Sequence, residues 1–311
     1  MRRTKVLSVL VVAAAALIAG CSSSAKPASN GDGSNIAESS ATMIDGVAVK
    51  ENAALRAALP ARYRTAGQFS FATNALGPPR TEVNASGQVV GAVPDLMSAV
   101  AAMWGMKAVV QKVSFDAQIP GVESGRFDIA ADTGDFAAQA VLNYVDFMRA
   151  GAAFVVAAGN PKHITGLNSS LCGLTVSVTT GTIQQTQLQD LAATCKAAGK
   201  SPVSLLALSQ GSLEVPITAG RASAAFDNTS TASLLVESEP TQFALGGPLI
   251  FEANLAFGVA KSNTAFFTDL RQTMEALVQD GAYKAIMAKW HQSALALPVI
   301  VVNTHAPFPK A

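Results

Sequence analysis

The stretch 113–136, VSFDAQIPGVESGRFDIAADTGDF, decides how the rest of the chain is interpreted. Its pattern predicts a strand end, a short helix that ends at Gly125, and then a short apolar strand. The loop after that strand carries Asp132, Thr133 and Asp135. Ligand sites of α/β sheets lie beyond the carboxyl ends of the strands, so we expect these side chains to line one. The alternative for Asp132 or Asp135 is a carboxylate that only caps a helix.

The composition of the 311-residue chain excludes several classes of protein. Half of the residues are hydrophobic, 14% are charged, and the formal net charge is +1. A nucleic-acid-binding protein would show a basic stripe, so no nucleic-acid partner is expected. The three histidines are scattered, and the chain has no Walker loop, dinucleotide fingerprint or nucleophile elbow. We therefore expect neither a metal nor a cofactor.

Residues 1–20 have the features of a bacterial lipoprotein signal peptide. Three basic residues precede an apolar run that ends in LIAG before Cys21, which resembles a lipobox. We predict lipidation of Cys21 and attachment to the extracytoplasmic face of the cell membrane. The alternative, a transmembrane anchor, would need about 20 apolar residues, and this run is shorter. Residues 21–45 are rich in Ser, Gly and Asn, so a flexible tether is expected there.

Two cysteines are left once Cys21 is assigned to the lipid. Cys172 and Cys195 lie in a chain that is expected to be exported, and two thiols in such a chain favour a disulfide. The alternative is a pair of buried free thiols.

The second half of the chain contains two further candidate ligand positions. A predicted strand leads into Gly181 and Thr182, and Gln185 follows at the spacing of a capping box. The free N–H groups of such a first turn attract anions, although a plain capped helix is the alternative. Asp227 ends another predicted strand, where an aspartate serves as a helix cap, a ligand group or both. Alternating strands and helices predict two α/β lobes.

Five motifs occur in one order between residues 50 and 291. They are GAVPDLMSAVAAMWGM, VSFDAQIPGVESGRFDI, LCGLTVSVTTGTIQQ, GRASAAFDN and LVQDGAYKAIMAKW. Together they resemble the extracytoplasmic solute-binding proteins of family 3, receptors that feed ABC importers of amino acids. The resemblance implies the type II periplasmic-binding-protein fold, in which two Rossmann-like lobes are joined by two crossovers. Lobe 1 would contain residues 46–155 and 250–291, lobe 2 residues 156–249, and a C-terminal tail residues 292–311.

The resemblance also implies which residues meet the ligand. Asp227 stands where amino-acid receptors of this family grip the α-ammonium group of the ligand. The turn at Gly181 and Thr182 stands where they meet its carboxylate. The other matching positions are Phe115, Asp132, Thr133, Asp135 and Ile183.

This chain departs from the family pattern at the position that binds the ligand carboxylate. No Arg or Lys lies between Phe127 and Met148, where receptors of α-amino acids carry an Arg that pairs with the ligand. The stacking aromatic of the family falls on Gly77. Carboxylates without a countercharge disfavour an anionic ligand and suit a cation such as an amine, a polyamine or a betaine. Arg80 could instead swing into the cleft and restore a carboxylate clamp.

These observations lead to a functional hypothesis with two alternatives. The resemblance implies a monomeric, lipid-anchored binding protein, not an enzyme, that delivers a small nitrogenous ligand, amino-acid-like or a cationic amine, to an ABC permease. The first alternative is a ligand sensor or envelope interaction protein of the same fold that does not transport. The second is an enzyme similar to cyclohexadienyl dehydratases, which is less favoured because such carboxylate substrates would need the missing Arg.

Overall fold

The computed structural model describes residues 41–44, 46–75, 77–133, 137–208 and 213–304, except for the side chains of Phe115 and Ala137. All of them belong to one compact unit. The predictions for residues 1–20, for Cys21 and for Asp135 therefore lie outside the described residues. No helix within the described ranges is long and apolar enough to cross a membrane.

The described residues form a mixed α/β structure. The strands are β1 Thr42–Ile44, β2 Val47–Val49, β3 Gln68–Thr73, β4 Glu82–Val83, β5 Val89–Val90, β6 Lys107–Lys112, β7 Ile129–Thr133, β8 Leu142–Ala157, β9 Thr175–Thr179, β10 Ser204–Leu208, β11 Ala224–Asn228, β12 Phe243–Leu245, β13 Ile250–Ala260 and β14 Ala296–Val302. The helices are α1 Ala53–Ala58, α2 Ala61–Ala66, α3 Ala92–Met103, α4 Phe115–Glu123, α5 Ile183–Ala197, α6 Val215–Thr218, α7 Thr229–Ser238, α8 Thr264–Gln279 and α9 Ala282–Lys289.

The main sheet shows how two lobes are joined. Its order is β10-β9-β11-β8-β13-β7-β3-β6, and β12 and β14 also pair with β8. At one end of the sheet β10, β9 and β11 are parallel, and at the other end β7, β3 and β6 are parallel, as expected for βα units. In the middle, β8 and β13 run antiparallel to each other. These two long strands are the crossovers between the lobes. The predicted fold class is therefore confirmed, while the exact residue boundaries of the lobes stay a prediction.

Each lobe has its own hydrophobic core. In the first lobe, Trp104 packs against Phe69 and Phe266, with ring centroids 5.2 and 5.4 Å apart. The indole N–H of Trp104 donates to Thr273 Oγ1 at 2.8 Å, so its polar group is satisfied although the side chain is buried. In the second lobe, Phe154 stacks on Phe226 of β11, and a second cluster of apolar side chains surrounds this pair.

The predicted disulfide is present. Cys172 and Cys195 are bonded, with their Cα atoms 5.7 Å apart and a sequence separation of 23. Cys195 lies on α5 and is 1% exposed within the core of the second lobe. The bond therefore fixes α5 to the segment that precedes β9, and the alternative of two free thiols is wrong.

Two segments differ from their predicted roles. Strand β1 falls within the predicted tether of residues 21–45, but it pairs with β2, and Ile44 and Val49 are buried against the core of the first lobe. Strand β14 falls within the predicted C-terminal tail, but it pairs with β8. The Tyr283 hydroxyl supports this strand because it accepts from Leu297 N at 2.7 Å and donates to Phe147 O at 2.6 Å. Tertiary contacts order both segments, which local composition alone does not reveal.

Candidate functional site

The site is built at the carboxyl ends of the strands, where the sequence analysis places it. Asp132 and Thr133 end β7, and Asp227 is the fourth residue of β11. Strands β9 and β11 are parallel neighbours, so Gly181, which follows β9, emerges at the same edge of the sheet as Asp227. Arg80 reaches the site from the loop after β3.

Arg80 and Asp132 form an ion pair. The distance from Arg80 Nη1 to Asp132 Oδ1 is 2.8 Å, and the side chains are 22% and 5% exposed respectively. Burial raises the pKa of Asp132 above its usual range, and the guanidinium of Arg80 opposes that rise. Asp132 therefore does not stand as a free negative charge that awaits a cation, because Arg80 already compensates it.

The backbone of the Arg80 loop is held by the start of α3. Ala92 N donates to Pro79 O and Val93 N donates to Arg80 O, both at 3.1 Å. Gly91 comes so close that an added Cβ would lie 2.2 Å from the Arg80 carbonyl oxygen, and its φ of +135° also favours glycine. These contacts fix the point from which the Arg80 side chain extends.

The backbone of Asp132 has an unusual conformation. Its φ is +63°, which residues other than glycine seldom adopt and which asparagine and aspartate tolerate best. Such conformations concentrate at ligand sites, where the surrounding structure enforces them. Here the pairing of β7 with β13 constrains the backbone of Asp132, because the next residue, Thr133, pairs with Ala256 of β13.

Two threonines that adjoin this ion pair in sequence have buried hydroxyls without a partner in the described chain. Thr133 Oγ1 and Thr81 Oγ1 make no hydrogen bond to any residue that the structure describes, although both residues are 1% exposed. Buried polar groups are almost always satisfied in native proteins. Thr133 follows Asp132 and Thr81 follows Arg80, so both orphan hydroxyls flank the ion pair in sequence.

Asp227 has one carboxylate oxygen without a hydrogen bond to the described residues. Its Oδ1 accepts from Asn228 N at 2.7 Å and from Asn228 Nδ2 at 3.1 Å, whereas Oδ2 has no hydrogen bond to the described residues. Burial is the largest effect that raises the pKa of Asp227, and the charge of Glu214 adds to it. The Asn228 hydrogen bonds and the charge of Arg80 act in the opposite direction. Of the effects on the pKa of Asp227, the charge of Arg80 is the smallest.

The turn before α5 is a variant of the predicted capping box. Thr182 Oγ1 accepts from Gln185 N at 3.3 Å and donates to Thr179 O at 2.8 Å. The Gln185 side chain accepts from Gly181 N at 2.7 Å, so that N–H group is already occupied. Ile183 is the first residue of α5 and is 39% exposed. Thr182 therefore caps the N-terminus of α5. No hydrogen bond in the described chain joins this turn to Asp227.

The structure does not describe the side chains of two predicted site residues. Phe115 is the first residue of α4, but its side chain is not described, and Asp135 lies outside the described residues. The segment Ala137–Ala140, in which the family carries an Arg, forms a 3-10 turn without a cationic side chain. Among the described residues, no three His, Cys, Asp or Glu side chains gather as they would around a metal ion.

Sequence reasoning missed three residues of this site. Thr81 follows Arg80, but nothing in the sequence indicates that its hydroxyl is buried. The sequence indicates Asn228 only as part of a strand end, although this residue both holds Asp227 and caps α7 through Thr231 N at 2.9 Å. Glu214 is far from Asp227 in sequence, and only the folded chain brings their charges together.

Comparisons with known proteins agree with this fold. The sequence profile described as "Bacterial extracellular solute-binding proteins, family 3" matches residues 69–293. The arginine-binding protein ArgT of Corynebacterium glutamicum is 26% identical over 244 residues, which cover 76% of this chain and 78% of that protein.

Two solved structures show the same architecture. The substrate-binding domain 2 of GlnP from Lactococcus lactis, in its open conformation, superposes with a TM-score of 0.62 at 19% identity and covers 72% of this chain and 95% of that one. An ancestral arginine-binding protein bound to arginine is 26% identical, with a TM-score of 0.52 and coverage of 72% and 98%. Because the family profile spans most of the chain and the fold agrees with it, this protein belongs to the bacterial extracellular solute-binding proteins of family 3.

Proposed function

We propose that this protein is a lipid-anchored extracytoplasmic receptor that binds a small amino-acid-like or amine ligand through its ammonium group and delivers it to an ABC permease. Asp227 would bind the ammonium group. The protein would act as a monomer, without a cofactor and without catalysis.

The observation that carries the proposal is the carboxylate of Asp227. It stands at the end of β11 with one oxygen held by Asn228 and the other without a partner in the described residues. An ammonium ion that meets this free oxygen gains a charge-assisted hydrogen bond. Glu214 adds negative charge nearby, which favours a positively charged group over a neutral one.

The relatives support the same chemistry. The names of ArgT from C. glutamicum and of the ancestral structure both state that those proteins bind arginine, and this chain is 26% identical to each. Arginine carries an α-ammonium group and a cationic side chain. We therefore place cationic amino acids first among the ligands to be tested.

The membrane anchor is part of the proposal. A lipid on Cys21 would hold the receptor beside its permease. A single acyl chain binds membranes only marginally, so the several chains of a bacterial lipoprotein would be needed for a stable anchor. Replacement of Cys21 by Ser is expected to move the protein from the membrane fraction to the soluble fraction, and a variant that stays in the membrane fraction would contradict this assignment.

Calorimetric titration of the full-length chain in detergent tests the ligand site. Asp227→Asn is expected to weaken binding of a cationic amino acid by about 30-fold or more, because one partner of a desolvated charge pair is lost. The matched control is Asp190→Asn, the same change on an exposed residue of α5, which should leave the affinity unchanged. If Asp227→Asn binds as the wild type does, the ammonium site lies elsewhere.

A further inference from the structure

We propose that Asn228 is a positioning residue of the ligand site: its side-chain amide holds one oxygen of the Asp227 carboxylate, so that only the other oxygen meets the ligand. The inference rests on the proposed function and deepens it, because Asp227 is the group that would bind the ammonium ion. The same amide caps α7, and the two tasks can be separated by experiment.

The side-chain amide of Asn228 makes three hydrogen bonds. Its Oδ1 accepts from Thr231 N at 2.9 Å, and its Nδ2 donates to Asp227 Oδ1 at 3.1 Å and to Thr231 Oγ1 at 3.0 Å. An asparagine amide has two N–H donors, so both have a partner here. A rotated amide would place Oδ1 against the carboxylate and Nδ2 against an N–H group, and both contacts would be unfavourable. These partners therefore allow one orientation of the amide.

The elements on both sides of this amide are themselves anchored. Asn228 is the last residue of β11, which pairs with β8 on one side and with β9 on the other. Thr231 lies in the first turn of α7, next to Ser230, which is 3% exposed. The Ser230 carbonyl accepts from Nε2 of the fully buried Gln292 at 3.2 Å. The donor that Asp227 meets is therefore held in place before a ligand arrives.

The two oxygens of Asp227 differ in occupancy. Oδ1 accepts from Asn228 N at 2.7 Å and from Asn228 Nδ2 at 3.1 Å, whereas Oδ2 has no hydrogen bond to the described residues. A carboxylate oxygen has about two lone-pair positions, so Oδ1 is fully used. A guanidinium binds a carboxylate best through both oxygens, whereas an ammonium ion is a compact donor that one oxygen can meet. The half-buried Asp227 is therefore arranged for an ammonium group rather than for a guanidinium.

The hydrogen bonds from Asn228 also keep Asp227 ionised. A hydrogen bond to the charged form of a carboxyl group favours that form, and both bonds from Asn228 lower the pKa of Asp227 against the rise caused by burial. Of the charged groups that act on Asp227, Glu214 before α6 raises this pKa and Arg80 from the loop after β3 lowers it. Loss of the Nδ2 donor should therefore raise the pKa. It should also weaken binding, because a less restrained carboxylate must be ordered by the ligand.

Two substitutions separate positioning from helix capping. A cap needs only an oxygen that accepts from Thr231 N, and serine supplies one as well as asparagine does. Asn228→Ser therefore keeps the cap and removes the Nδ2 donor, whereas Asn228→Ala removes both. Positioning predicts that both variants weaken binding to the same extent, and that Asn228→Ala has the lower melting temperature. If Asn228 only caps α7, Asn228→Ser binds as the wild type does, and the inference is wrong.

Calorimetric titration of the full-length chain in detergent, with L-lysine and L-arginine at a series of pH values, makes this comparison. Asn228→Ser is expected to weaken both ligands by about tenfold at neutral pH, since a hydrogen bond to a charged group is lost. Its affinity should also begin to fall at a higher pH than that of the wild type. The matched control is Asn52→Ser, the same change at the N-cap of α1, which should keep the affinity and the pH profile.

A second measurement needs no ligand. Carbon NMR gives the titration of the Asp227 carboxyl group, whose signal is identified by its absence in Asp227→Asn. The pKa of this group should be higher in Asn228→Ser than in the wild type, and an equal pKa would overturn the inference.

These results also distinguish the inference from the proposed function. If Asp227→Asn loses binding while Asn228→Ser keeps the affinity and pH profile of the wild type, the inference alone is wrong. If Asp227→Asn binds both ligands as the wild type does, or if the wild type binds neither of them nor a neutral amino acid, the proposed function is wrong and the inference falls with it.

Discussion

Replacement of Arg80 by Gln should destabilise the apoprotein through the charge that it leaves behind. Asp132 would keep a carboxylate that is 5% exposed and has lost its guanidinium. Removal of one partner from a buried ion pair costs about 3 to 5 kcal/mol. Because Arg80 itself is 22% exposed, so that solvent already screens part of the pair, the lower end applies, about 3 kcal/mol. For a chain of this size, that loss lowers the melting temperature by about 6 °C or more.

The pH dependence of this loss identifies its cause. Burial raises the folded-state pKa of Asp132 above the ordinary value of 3.8, and without Arg80 the opposing effect disappears. A carboxyl group whose pKa is higher in the folded than in the unfolded state costs stability at high pH. That cost is lost as the pH falls through the folded-state pKa toward 3.8, because the buried group then takes up a proton. The Arg80→Gln variant should therefore approach the wild type in mild acid.

Thermal denaturation of three proteins at a series of pH values checks the reasoning. The proteins are the wild type, Arg80→Gln, and the double variant that also carries Asp132→Asn. Replacement of both partners of a buried pair is often nearly neutral, so the double variant should recover to within about 1 kcal/mol of the wild type. If Arg80→Gln is equally destabilised at every pH, or if the double variant is no more stable than the single one, the buried charge is not the cause.

Three further perturbations have expected outcomes. Replacement of Cys172 and Cys195 by Ser should lower the free energy of unfolding by about 3 kcal/mol, since the loop of 23 residues is no longer closed; denaturant titration with and without reductant measures it, and an unchanged midpoint would contradict it. The affinity for a cationic ligand should fall as the pH drops from neutrality toward 3.8, because the raised pKa of Asp227 makes its carboxylate protonate early; calorimetry on Asp227→Asn should show a shallower profile, and an equally steep one would contradict this cause. Tyr283→Phe should lower the free energy of unfolding by about 1 to 3 kcal/mol, because Phe147 O and Leu297 N of β14 both lose their hydrogen bond to the buried hydroxyl. A free energy of unfolding equal to that of the wild type would contradict this, since water would then replace the hydroxyl.

Much of the site could be predicted because its residues follow strands in the sequence. Apolar runs that end in polar side chains predict Asp132, Thr133 and Asp227 at strand ends, and parallel strands bring such ends to one edge. The cap at Thr182 was likewise a local pattern, although the Gln185 side chain bonds to Gly181 rather than to the cap residue itself. The strand ends and the cap are where the sequence predicts them, because both need only local periodicity. The role of these residues in ligand binding stays a prediction.

The structure corrects one premise about charge, because Asp132 has a countercharge; the charge of the ligand stays a prediction. The sequence places Asp132 among several acids that together suit a cation, but in the folded chain it is paired with Arg80, which lies 52 residues away. Such a pair depends on the path of the loop after β3 and on the anchoring of that loop to α3. No local pattern records where a flexible side chain such as Arg80 will reach.

The sequence by itself determined the family, the disulfide and the strands that carry the candidate ligand groups, because periodicity, cysteine count and ordered motifs are properties of the chain. Only the tertiary structure decided which charges neutralise each other, which hydroxyls stay without partners, and that the predicted C-terminal tail adds β14 to a crossover strand. These properties depend on distances between residues that are remote in sequence. Electrostatic energies change steeply over such distances, so the charge that the site offers to a ligand is a property of the fold.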